Sequence, residues 1–214
     1  MTTTTLEAWH FLKADGRSSE GRRRPSRDGA IERHRGRLVP CESGLHSSPT
    51  PWDALCYAPG PLLSRVLIPE VGEHTLTHGN PIDKYVSTRR LRVQTLDISR
   101  ELRLFACDEA EAALDRVAAR GGTIDQRSRD AVAVARRFAV GEASEADMSA
   151  AASASWSAAA SASVSASWSA AASASWSAAA SASVSASWSA AVSAAASRFN
   201  VLIMTRFAVA ESVR

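Results

Sequence analysis

The stretch AASASWSAAASASVSASWSA at Ala151–Ala170 is followed, at Ala171–Ala190, by the same twenty letters without a change. Inside the twenty runs a four-residue beat, so that Trp156, Val164, Trp168, Trp176, Val184 and Trp188 fall on positions separated by fours, with Ala filling the others. Two periodicities compete. Ala, Trp or Val at even positions and Ser at most odd ones is the alternation of a half-buried strand. The same letters spaced by four put each large residue one turn above the last on a helix. Turn chemistry decides. A single forty-residue strand would be roughly 130 Å long, so a sheet would need hairpins, and no Gly, Pro, Asn or Asp occurs between Ser149 and Ser197 to make one. Ala is the best helix former and Ser costs only about half a kcal/mol per position. The repeat therefore reads as helix.

A spacing of four on a 3.6-residue turn drifts by about 40° per step, so the stripe winds nearly once around the helix between Trp156 and Trp188. One flat surface cannot cover such a spiral. Self-association, or docking of a helical protein partner, along Trp156, Trp168, Trp176 and Trp188 is the functional expectation; a solvated repeat expansion without a binding role is the alternative. No membrane span is expected: in Ala151–Ala190 sixteen of forty residues are Ser and only six are larger than Ala or Ser, too polar for lipid. The uncharged alternation also carries a β-aggregation hazard.

Working outward, the sequence before the repeat predicts an α+β protein: a small mixed domain at 1–97, a helical neck at 98–141, and a segment at 142–214 comprising the repeat helix and an apolar end. Leu6–Leu12 reads as a first strand with Leu6, Ala8, His10 and Leu12 on one face. The segment 14–37 is rich in Gly, Ser, Pro and Arg and reads as a mobile, solvated loop. Lys13–Arg37 carries nine basic and four acidic residues, an excess of five against a net charge of +3 for the whole chain. Arg22, Arg23 and Arg24 are the candidate contacts to nucleic acid or another polyanion. That expectation is weak, because no aromatic residue is interleaved with them to stack on bases. Leu38–Cys41 reads as a short second strand. Pro51 suits the first turn of a helix over Trp52–Tyr57 capped by Thr50, and Pro59-Gly60-Pro61 ends it. Leu62–Ile68 reads as a central strand, His74–His78 as an edge strand, and Lys84–Leu96 as one long strand or two with a bend. Arg89 and Arg90 with Arg92 could touch phosphates, but Arg90 and Arg92 fall on one side of that strand and read rather as its solvent face.

From Ser99 the texture turns helical. Arg100–Arg120 stops at Gly121-Gly122, a second helix capped by Asp125 or Ser128 runs through Ala139, and Ser144–Asp147 starts the repeat helix with acids in its first turn. Phe199–Val209 reads as a helix packed against the repeat or another subunit. Trp9 and Trp52 read as core residues of the N-terminal domain. Three widely spaced cysteines, an odd number, suggest reduced thiols and a cytoplasmic protein. The N-terminal MTTTTLEAWHFLK has no basic segment followed by an apolar one, so no secretory signal is read.

The strings CESGLHSSPTPWDALCYAPG (Cys41–Gly60), LLSRV (Leu62–Val66), VSTRRLRV (Val86–Val93), LRLFACDEAEAAL (Leu102–Leu114) and RSRDAVAVARRFAVGEASEADMSAA (Arg127–Ala151) resemble a family of uncharacterised phage and bacterial proteins with alanine-rich, tryptophan-bearing tails. The resemblance implies an architecture and brings no activity. Similar tails carry Asp and Arg between the tryptophans, giving charged i,i+4 pairs; here those positions are Ser, which weakens the helix.

The Gly44–Tyr57 block also resembles the nucleotide-binding part of ADP-ribosyltransferase-like folds. That resemblance implies a ligand pocket for NAD with His10 on the opening strand, His46 facing the nicotinamide side and Tyr57 after the helix. An active transferase further needs a late glutamate, and none stands inside Lys84–Leu96, so the resemblance implies a degenerate, non-catalytic domain and no catalytic residues are assigned. His74 and His78, four apart on a strand, lie about 13 Å from each other, too far for one zinc, and no Cys-x-x-Cys or His-Glu-x-x-His occurs. Phosphate-loop and hydrolase-elbow motifs are absent from the sequence. No metal and no cofactor is called for. The residues thus favour a non-enzymatic assembly protein, a homo-oligomer through its repeat, over the nucleotide-binding and nucleic-acid readings.

Overall fold

The computed structural model describes residues 5–18, 27–161 and 186–212, the side chains of 155–161 and 186–191 excepted. It is an α+β protein that divides into two compact units, one formed by 1–98 together with 196–214, the other by 99–195.

The first unit holds two antiparallel sheets. β1 (Thr5–Leu12), β4 (Leu62–Pro69), β7 (Arg89–Asp97) and β2 (Ile31–Arg33) form one, in the order β1-β4-β7-β2; β3 (Leu45–Ser47), β6 (Lys84–Ser87) and β5 (Thr75–His78) form the other, in the order β3-β6-β5. The apolar run Leu62–Ile68 is central, as its β-branched and leucine content demands of a strand with neighbours on both sides. The bend expected within Lys84–Leu96 falls at Thr88 and sends β6 and β7 into different sheets. The sheets are spliced where Trp9 and Ser48 exchange two backbone hydrogen bonds of 2.8 Å.

Each face of the larger sheet has its own cover. Ala8, Val66 and Ile68 build a core against which Tyr85 of β6 packs. On the other face lies the C-terminal part of α5 (Ala186–Ser212), whose Phe199, Ile203 and Phe207 recur every fourth residue and are all buried. Phe207 meets Trp9 edge-on at 5.0 Å between ring centroids, and Phe199 meets Trp52 at 5.9 Å. Arg65 pairs with Glu211 and, at 3.6 Å, with Glu7. The apolar segment expected against the repeat or a second subunit therefore packs on the N-terminal sheet, because Trp9 and Trp52 leave an apolar face that its Phe–Ile–Phe stripe fits. The single segment expected at 142–214 is divided accordingly.

Three further expectations are corrected. Arg90 and Arg92 are each 2 % exposed instead of solvent-facing, because Glu32 of β2 lies beside them and takes both guanidinium groups at 2.6 and 2.8 Å. The segment expected as wholly mobile loop thus contributes β2 and a partly buried carboxylate, paired in register as Glu32 to Arg90. Leu38–Cys41 makes a turn instead of a strand: Val39 bonds back to Ser43, and Cys41 adopts a left-handed φ of 67°.

In the second unit α2 (Ser99–Ala119) and α3 (Gln126–Ala139) form an antiparallel pair laced by Arg136 to Asp108 and Glu111 and by Arg129 to Asp115. Asp125 caps α3 by accepting from Arg127 N–H at 2.8 Å. Ser144 and Asp147 cap α4 (Glu145–Ser161) reciprocally, Ser144 N–H donating to Asp147 and Asp147 N–H to Ser144 Oγ. α4 carries helix into the first turns of the repeat and α5 resumes it at Ala186, while the middle of the repeat lies outside the described residues. Among the described residues no helix is long and apolar enough to cross a membrane.

Candidate ligand cavity

α1 (Pro51–Leu55) is short and firmly placed. Thr50 accepts from Asp53 N–H at 3.1 Å, Pro51 starts the first turn, and Asn200 of α5 accepts from Trp52 N–H at 2.9 Å. Two of the backbone donors left over at any helix start are thereby satisfied. Tyr57 follows directly; its hydroxyl donates to Asp83 at 2.6 Å, a bond that holds the phenol well above its ordinary range.

β3 is fixed from below. Arg90 Nη1 donates to the His46 carbonyl at 2.6 Å while its other nitrogens hold Glu32. Gly44, just before β3, has φ +136°, and a Cβ there would collide with Val86 Cγ1 of β6. Only glycine lets the chain lie that close to the neighbouring strand.

Between these elements opens a cavity of about 310 Å³, at the small end of ligand sites. His10 from β1, His46 from β3 and Tyr57 from the end of α1 all line it, so the structure brings the three pocket candidates of the sequence together. The wall is completed by Ser18, Cys41, Glu42, Ser47, Lys84 and Arg90, among others. Lys84 is 7 % exposed; its ammonium lies 3.5 Å from Cys41 Sγ and 3.5 Å from the centroid of the Tyr57 ring.

The electrostatics follow from that frame. Burial, and then the positive charges of Arg90 and Arg92 with His46 behind them, press His10 well below its ordinary value of 6.5, so its imidazole is neutral at physiological pH. Burial alone would raise Glu32, but Arg90 and Arg92 outweigh it and hold the carboxyl below its ordinary range. The arginine pair beneath the cavity is thus half neutralised by Glu32.

Sequence reasoning missed Cys41, Glu42, Lys84 and Arg90. Cys41 reaches the cavity from a turn with a left-handed backbone, which no residue pattern reveals. Glu42 brings the sole carboxylate among the described lining residues, from the loop before β3, where the transferase pattern calls for one on a late strand. The remaining candidates are not gathered here. Arg22, Arg23 and Arg24, and Trp168 and Trp176, lie outside the described residues; Trp156 falls in α4 and Trp188 in α5, with their side chains outside the description. Among the described residues no three His, Cys, Asp or Glu side chains are grouped to hold a metal. Against protein-family models, curated proteins and solved structures, the chain finds no match.

Proposed function

We propose that the unit formed by 1–98 and 196–214 is a non-catalytic binding domain for a small molecule of the nucleotide class, seated between His10, His46 and Tyr57. The observation that carries this reading is the convergence of those three side chains, from β1, β3 and the end of α1, on one 310 Å³ cavity. A left-handed, non-glycine residue at its mouth adds support, since backbone strain collects at ligand clamps. The neutral His10 can hydrogen-bond a ligand without repelling a cationic ring. Glu42 stands exposed at the rim, a poor place to stabilise a buried cationic centre, so binding without turnover is the reading favoured.

The test is equilibrium dialysis of the full chain against NAD, AMP and adenosine, repeated with His10→Ala and His46→Ala. Saturable binding of at least one, lost in both variants, supports the proposal. Binding that survives both substitutions refutes it.

A second reading, self-association through the repeat, rests on the unbroken duplication of twenty residues and its tryptophan spacing. Sedimentation of the full chain beside a variant with Trp156, Trp168, Trp176 and Trp188 all changed to Ala tests it. An unchanged oligomeric state sinks that idea. Truncation ahead of the repeat is unsuitable, because it also strips α5 from the sheet.

A further inference from the structure

Lys84 is buried at the start of β6, yet among the described residues its ammonium meets only a thiol and an aromatic ring. Among the described residues no carboxylate pairs with it; Glu42, the acidic lining residue, is solvent-exposed at the rim. A buried ammonium without a counter-charge is costly, and proteins retain one where something else supplies the charge. The same wall holds Ser18 Oγ, Ser47 Oγ and His10 Nε2, each shielded from solvent and without a hydrogen-bond partner among the described residues. Ser47 is 3 % exposed. Nearly all buried polar groups in native proteins are satisfied, so a lone cation and three idle polar atoms around one space mark a place for a group rich in acceptors.

Resting on the reading that the cavity binds a ligand, we infer that the part of the ligand held at Lys84 is a phosphoryl oxyanion, with Ser18, Ser47 and His10 as its further donors. The choice of phosphoryl over carboxylate follows from which cation is free. Arg90, whose planar fork would read a carboxylate, is already committed to Glu32 and to the His46 carbonyl. Lys84 offers a point charge, and the hydroxyls offer donors from other directions, which suits a tetrahedral group with three terminal oxygens. The neutral His10 can donate from Nε2 without needing a second charge.

The experiment is calorimetric titration of the full chain with AMP, inorganic phosphate and adenosine, at constant ionic strength, on the natural protein, Lys84→Met and Lys84→Arg. AMP should bind more tightly than adenosine, and phosphate should compete with AMP. Lys84→Met should weaken AMP on the order of thirtyfold or more while leaving adenosine unchanged, and Lys84→Arg should restore part of the loss. Thermal unfolding of the unliganded proteins keeps the test sound: Lys84→Met should be at least as stable as the natural chain, because it removes an unpaired buried charge and keeps the apolar stem. If adenosine and AMP bind alike and Lys84→Met changes neither, the oxyanion inference fails while the cavity reading stands. If none of the three binds, both fall.

Discussion

Replacing Glu32 by Gln removes one charge and almost no volume, and its effect can be worked from the geometry. Glu32 Oε2 takes Arg90 at 2.6 Å and Oε1 takes Arg92 at 2.8 Å, with the arginine side chains 3 % exposed and the glutamate 12 %. Surface ion pairs are worth about 0–1 kcal/mol, but this pair is not on the surface. Breaking a buried pair from one side leaves the partner charge uncompensated and costs about 3–5 kcal/mol. Here two guanidinium groups lose the same partner, so the upper half of that range is expected, a fall on the order of 10–20 °C in Tm. The pH dependence supplies an internal check. Because Arg90 and Arg92 override burial and hold the Glu32 carboxyl below its ordinary 4.5, the unfolded chain takes up that proton first. The stabilisation is complete above the ordinary value and is lost as pH falls through the folded one. Glu32→Gln should therefore remove part of the acid slope of stability as well as lower the plateau. The assay is urea unfolding followed by circular dichroism across acid and neutral pH. A loss under about 1 kcal/mol at neutral pH, or an unchanged acid slope, would refute the account of Glu32 as a buried clamp.

The cover of the larger sheet predicts that Phe207→Ala, which empties the site against Trp9, costs about 3–5 kcal/mol. Val201→Ala, on the exposed side of the same helix, should stay within about 0.5 kcal/mol, and urea midpoints of the two variants decide it. Gly44→Ala should destabilise by more than about 2 kcal/mol and abolish ligand binding together with stability, read by thermal unfolding and dialysis. His10, held neutral by burial and by Arg90 and Arg92, makes the native state bind fewer protons than the unfolded chain below the ordinary 6.5. Stability should then fall as pH drops from about 7 to 5, and His10→Asn should flatten that part of the profile.

The sequence disclosed most of what depends on local chemistry. Thr50 and Pro51 announced α1, Gly121 marked the stop of α2, and the β-rich run at Leu62–Ile68 proved the central strand. His10, His46 and Tyr57 were singled out through the resemblance of the Gly44–Tyr57 block to a nucleotide-binding fold, and the short strand that carries His46 was not read at all. What stayed hidden depends on long-range pairing. Arg90 and Arg92 looked solvated because nothing near them in the chain is acidic; their partner is about sixty residues away, in a stretch whose arginine and glycine content conceals a three-residue strand. Lys84 and Cys41 meet across forty-three residues and a left-handed turn. The destination of Phe199–Val209 was misjudged for a related reason. An amphipathic stripe states that a surface is needed, and only the assembled sheet states which one.

The measurement that bears most directly on the cavity is histidine side-chain NMR of the full chain, with AMP added stepwise. The protein has five histidines, of which His10 and His46 line the cavity and His34, His74 and His78 do not. The account predicts saturable, matching shifts of the His10 and His46 imidazole signals while the other three stay in place. Shifts confined to His34, His74 or His78, or five unmoved histidines at saturating AMP, would contradict it.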